Sequence, residues 1–199
     1  MYYDAIINDH GLPHDPFKSL VVPRPIGWIS TLSAGGGANL APYSFFNGLA
    51  SNPNIVMFSS NVYKDSVRNV DQTGEFVCNM ATYDLRDKMN ATSAPVSSDV
   101  DEFELAGLTK VASRAVAPPR VAECPAALEC RHLQTIELTG LDGKSAGAWM
   151  VLGQVVGVHI DDTVIIDGRV DVTLFRPLAR LGYMQYASVD SVFSIQRPS

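Results

Sequence analysis

The side chains with the clearest chemical use fall in three runs between Trp28 and Asn69. These are Trp28-Ile29-Ser30-Thr31, then Asn39-Leu40-Ala41-Pro42-Tyr43-Ser44, then Ser59-Ser60-Asn61-Val62-Tyr63-Lys64-Asp65-Ser66-Val67-Arg68-Asn69. The third run is the most physical. Asp65 or Ser66 can cap a short helix that carries Val67 and Val70 on one face and stops at Gly74, and the free amides at such a start attract an anion. Lys64 adds a full positive charge there, with Arg24 and Arg68 as further candidates. Hydroxyls and amides beside the apolar surface of Ala41 and Pro42 suit a planar polar ring that also bears a phosphate. Taken singly, two plainer readings stay open. A Lys-Asp-Ser step is also an ordinary helix cap, and residues 39–42 also read as a strand exit.

The elements that would hold these runs are mostly extended. Residues 26–33 have strand character, and Gly35-Gly36-Gly37 can turn that strand into a hairpin. Residues 55–60 and 75–80 read as strands on either side of the capped helix. Asp84 can cap a second helix running to about Asn90, with Leu85 and Met89 on one face. Residues 94–103, rich in Ser, Asp and Pro, read as a loop at the rim of a pocket. The longest strand candidates are 128–138 and 150–160, joined through Gly140-Leu141-Asp142-Gly143. Many strands, few short helices and no strand–helix alternation predict a mainly β fold, an antiparallel barrel decorated by short helices. Residues 1–19 read as an irregular N-terminal arm on a single domain spanning 1–199.

Composition narrows the function. The formal net charge is -6, which argues against a nucleic-acid or anionic-membrane binder, since both need a basic face. Any anionic ligand must therefore be met by a local exception such as Lys64. Hydrophobic residues make up 46% and charged residues 18% of the chain, leaving apolar area that a second subunit could cover. Cys78, Cys124 and Cys130 are an odd set that does not read as a disulfide framework, and no stretch reads as a secretion signal or a membrane span, so a cytoplasmic protein is expected. Cys124, Cys130 and His132 match no common zinc spacing, and no metal is expected. His10, His14, His132 and His159 stand in no hydrolase order, and the three glycines lack the strand-to-helix context of a dinucleotide fingerprint.

In their order and spacing the runs resemble the flavin reductase-like family, the FMN-binding split β-barrels of flavoredoxin type. The likeness extends from Arg24-Pro25-Ile26-Gly27-Trp28-Ile29-Ser30-Thr31, through Lys64-Asp65-Ser66, to the late Arg-Pro-Leu-Ala-Arg-Leu-Gly-Tyr run at 176–183. The resemblance implies FMN as cofactor. Trp28, Ser30, Thr31, Asn39, Ala41, Pro42, Tyr43 and Ser44 would line its ring and ribityl chain, while Ser59, Ser60, Lys64, Asp65, Ser66 and Asn69 would hold the phosphate end. Asp65 is better cast as a cap, because two anions in contact repel.

The resemblance also implies a homodimer and hydride transfer from NADH or NADPH to flavin, with no named catalytic side chain and a possible electron-acceptor protein downstream. Many relatives carry a histidine where this chain has Trp149, and Gln154 replaces a usual glutamate. Trp149 is therefore expected to restrict nicotinamide access, unless it points into the core or a dimer interface. His159 is a second access candidate or a structurally bonded histidine. Two rival functions follow: an FMN electron-transfer or carrier protein without efficient nicotinamide oxidation, and a non-enzymatic binder of another anionic planar ligand.

Overall fold

The computed structural model describes residues 1–198. Its centre is a seven-stranded antiparallel sheet built from β1 (Gly27–Leu32), β2 (Ala38–Tyr43), β3 (Phe46–Ser51), β4 (Asn54–Asn61), β5 (Glu75–Met80), β6 (Ala126–Thr139) and β7 (Ser145–Ile160), in the spatial order β2-β1-β5-β6-β7-β4-β3. The sheet coils but its ends do not pair. A small three-stranded sheet of Arg24–Pro25, Leu178–Arg180 and Tyr186–Ser188 stands apart from it, so the barrel is open. The expected mainly β architecture is what forms.

Period-two alternation explains why β1 is buried on both faces. Trp28 packs with Leu40, Met89 and Phe103 in one apolar cluster, while Ile29 points the other way into a second cluster around Phe58, Phe76 and Val151. On the second face lies α1 (Asp65–Thr73), which buries Val67 and Val70. Gly74 ends that helix in the left-handed region at φ 75°, as its position in the sequence predicts.

The helix starts differ from expectation. Lys64 occupies the N-cap of α1 and no side chain caps it; Asp65 lies inside the first turn and pairs with Arg68. The local charge pair offsets the helix dipole in place of a cap. Helix α2 (Arg86–Ala91) begins after Leu85, and Asp84 does not cap it. The loop expected at 94–103 ends inside a short helix, α3 (Glu102–Leu105), because Asp101 accepts the Phe103 N–H as an N-cap. The N-terminal arm contains one helical turn, Phe17–Leu20.

Long strands β6 and β7 change register between Leu152 and Gly153 and again between Val155 and Gly157. Bulges of this kind increase local twist and wrap a sheet around a core. At the first of them the fully buried ring of Phe76 fills the place of a side chain: a Cβ on Gly153 would lie 2.3 Å from its Cζ. Gly153→Ala must therefore displace a packed aromatic, and urea unfolding is expected to show a loss of about 1–3 kcal/mol.

Candidate functional site

A two-lobed cavity opens where the end of β2, the end of β4 and the start of α1 converge. The larger lobe, about 580 Å3, is walled by Pro42, Tyr43, Ser44, Ser59 and Ser60, with Met89 and Asn90 of α2 and the segment around Arg180 and Tyr186 opposite. The smaller lobe, about 380 Å3, is walled by Asn39, Ala41, Asp65, Ser66, Arg68 and Glu102 and by the loop residues Ala94, Pro95 and Val96. Pro42, Tyr43, Lys64 and Ser93 line both. The loop expected at a pocket rim is thus at one.

Behind the smaller lobe runs a buried polar network. Asn39 Oδ1 accepts from Ser66 Oγ at 2.8 Å, and its Nδ2 donates to Glu102 Oε1 at 3.0 Å. Glu102 Oε2 accepts the Leu40 N–H at 3.0 Å, and Asn69 Nδ2 donates to Thr31 Oγ1 at 3.0 Å. Thr31 in turn donates a long bond of 3.4 Å to Asn39. Four residues expected on the cofactor therefore spend side-chain groups on one another. Asn39 and Ser66 still reach the wall; Thr31 and Asn69 do not.

Trp28 and Ser30 are likewise not on the wall. The indole N–H of Trp28 donates to Thr92 Oγ1 at 2.9 Å and Ser30 Oγ donates to the Pro119 carbonyl at 2.6 Å, both from positions with no solvent exposure. Alternation along β1 sends these side chains into the core, where they support the wall from behind. Each lobe is lined by members of both the expected ring-binding and the expected phosphate-binding set.

Charge is concentrated here. Lys18, Arg24, Lys64 and Arg180 line the larger lobe against a single carboxylate, Asp15, in a chain of net charge -6. Lys64 has no acidic partner among the described residues. Arg24 is buried, donating to the carbonyls of Lys18, Val21 and Leu181, and its Nε has no partner among the described residues. Burial, then the like charge of Arg180, push its guanidinium below the usual arginine value. Burial also raises the Tyr43 phenol, which stays a neutral donor. An anion in this lobe would relieve the crowding of cations.

Trp149 lies behind the cavity wall rather than on it, next to two residues that do line it. It is half-buried in β7 opposite Ser60, and its ring meets that of Tyr63 edge-on at 5.5 Å; Tyr63, not Trp149, lines the smaller lobe. His159 is paired with Ala127 far along β7 and lines neither lobe. Burial and Arg120 lower its pKa from the usual histidine value. Among the described residues no three of His, Cys, Asp and Glu could hold a metal ion, and no helix is long and apolar enough to cross a membrane.

Glu102 and Tyr186 are wall residues that the spacing of the motifs did not single out. Glu102 sits in a polar stretch with no periodic signal, and its role depends on meeting Asn39 across 63 positions of sequence.

The model of the family described as "Flavin reductase like domain" matches residues 19–174. This chain belongs to the flavin reductase-like family. An uncharacterized protein of Aquifex aeolicus is 36% identical over 173 residues, covering 84% of this chain and 85% of its own. Among solved structures, nitrilotriacetate monooxygenase component B from Bacillus cereus is 28% identical, with a TM-score of 0.89 and 98% of each chain covered. A flavin reductase-type protein with a split barrel domain from Shewanella frigidimarina shares the fold at 23% identity, a TM-score of 0.86 and full coverage of both chains. The open barrel is accordingly a split barrel.

Glu102 gives a test of the network. Burial raises its carboxyl above the ordinary value of 4.5, although the Leu40 and Asn39 bonds pull it down. Glu102→Gln turns one acceptor into a donor facing Asn39 and is expected to cost about 1–3 kcal/mol. A raised carboxyl keeps its proton in the folded state while the unfolded chain ionises. The wild-type margin over the variant is therefore largest below 4.5, narrows as pH rises towards the folded value, and is level beyond it. Urea melts of both proteins on either side of that window check the sign.

Proposed function

We propose that this chain binds FMN in the two-lobed cavity and transfers a hydride to it from NADH or NADPH. The observation that carries the reading is Lys64, an unpaired cation at the N-terminus of α1 that lines both lobes of a cationic cavity in an acidic chain. The donor set fits an aromatic phosphate. Lys64 and the backbone N–H groups of the first turn of α1 would hold the phosphate. Pro42 and the rim of Tyr43 offer apolar surface to the ring, and Ser44, Ser59 and Ser60 offer hydrogen bonds along its polar edge. Similarity to a protein named as a monooxygenase component, over nearly its whole length, supports an oxidoreductase.

When bound, the flavin supplies the hydride-accepting chemistry. The chain's own residues position it, keep charge complementary to it and wall off water. Tyr43, held neutral by burial, can donate a hydrogen bond without placing a second negative charge beside the phosphate. No side chain is required to carry a proton in the hydride step, and none is assigned that task.

The reading includes a homodimer. Leu133, Val156 and Val158 leave apolar side chains exposed on the long strands β6 and β7, a surface suited to a two-fold partner. Sedimentation of the flavin-loaded protein is expected to give a dimer at micromolar concentration; a loaded monomer would refute this part.

Lys64→Ala is expected to weaken FMN binding by about 1.5–3 kcal/mol, roughly ten- to a hundredfold, with folding intact. Flavin fluorescence titration at moderate ionic strength measures it. Anaerobic mixing of the FMN-loaded protein with NADH or NADPH should bleach the flavin rapidly. Tight FMN binding without bleaching by either would leave an FMN carrier and reject the hydride transfer.

A further inference from the structure

Beside the larger lobe lies a third chamber of about 610 Å3, between α2 and the strands Leu178–Arg180 and Tyr186–Ser188. It adjoins that lobe, with Met89, Asn90, Arg180, Met184 and Tyr186 lining both. Its own chemistry is aromatic and cationic. The guanidinium carbon of Arg180 lies 4.4 Å from the ring centre of Tyr186, and that of Arg86 lies 4.3 Å from the ring centre of Tyr83. Arg176 approaches the Tyr83 ring as well, at 4.0 Å.

The acids in the chamber offset Arg176 but leave Arg180 and Arg86 without a close, buried counter-charge. Asp190 accepts from Arg176 Nε at 2.9 Å and from Ser188 Oγ at 2.7 Å, so both its oxygens are engaged. Asp87 stands 3.7 Å from Arg86 with a side chain that is 89% exposed, where an ion pair is weak. Arg180 donates through its two terminal nitrogens to Tyr186, the Tyr183 carbonyl and Met184, and its Nε has no partner among the described residues. Guanidinium groups lying over tyrosine rings, with thioethers and Leu178 around them, match a planar aromatic ring joined to a phosphate.

A nicotinamide dinucleotide has two ring-bearing halves joined through a pyrophosphate. If its nicotinamide is to reach a cofactor in the two-lobed cavity, its other half needs a site adjoining that cavity. We propose that this third chamber binds the adenosine diphosphate half of the donor, with Arg180 at the shared rim meeting the pyrophosphate and Tyr83 and Arg86 meeting the adenine. The assignment rests on the hydride-donor reading above, but the binding it requires can be measured without turnover.

ADP is the probe. Calorimetric titration of ADP into FMN-loaded protein is expected to show one site per chain, weakened about tenfold or more in Tyr83→Ala and in Arg86→Glu. Neither residue lines the two-lobed cavity, so circular dichroism and the bound-flavin spectrum report whether each variant remains folded and loaded. The same variants should lose the preference for NADH over reduced nicotinamide mononucleotide, which lacks the adenylate, in KM rather than in kcat. No ADP binding by the wild type, equal binding by wild type and both variants, or binding of benzoate in place of ADP would each overturn the chamber's assignment, even if NADH bleaches the flavin. Variant-sensitive ADP binding without any bleaching would uphold the chamber and reject the hydride transfer alone.

Discussion

The geometry of the cavity depends on how one amide, Asn39, is satisfied. Its oxygen accepts from the helix hydroxyl of Ser66 and its nitrogen donates to Glu102, so strand β2, helix α1 and helix α3 meet at a single side chain. Each partner is buried, and a buried polar group left without its bond costs more than the bond itself contributes. The three elements are consequently fixed in one arrangement rather than merely packed. Pro42, Tyr43 and Lys64 inherit that arrangement, because they lie a few residues along the same elements. The wall is precise because the layer behind it has no alternative way to be satisfied.

Around this frame the chain separates two electrostatic tasks. An acidic total keeps the surface from attracting polyanions, while the cavity gathers lysine and arginine from three distant parts of the sequence. Two of those cations, Arg24 and Arg180, lie close enough to repel, and burial makes Arg24 costly to keep charged. Like charges crowded into a concave site are the mark of a place built for a ligand of opposite sign.

Much of the fold could be read from the chain. The strand at 75–80, the helix stop at Gly74 and the long pair β6 and β7 follow from alternation, a glycine signal and length. Helix starts were less legible, since Lys64 and Leu85 occupy cap positions that Asp65 and Asp84 should fill by side-chain preference. Ion pairing and packing outweighed a term of about 1 kcal/mol. The site was legible as a neighbourhood and blurred in detail. The motifs located the right stretch, yet β1 is buried on both faces, Trp28 and Ser30 to one side and Thr31 to the other, and only the folded sheet shows that neither side of it is the wall. Tyr186 and Glu102 carry no local signal, because their place on the wall comes from contacts made far across the chain.

Arg24 also binds together segments that are synthesised at opposite times. Its guanidinium bonds to the carbonyls of Lys18 and Leu181, the latter 157 positions away, and Ser19 packs so closely on Gly182 that a Cβ there would lie 1.9 Å from its Oγ. A nascent chain through residue 160 already contains every strand of the large sheet, yet the larger lobe still lacks Arg180, Tyr183 and Tyr186. Every strand of the large sheet is therefore made before the pocket is, while one of its core clusters still waits for Leu178. The wall of the larger lobe is thus completed by the last part of the chain to be made, after the sheet that supports it.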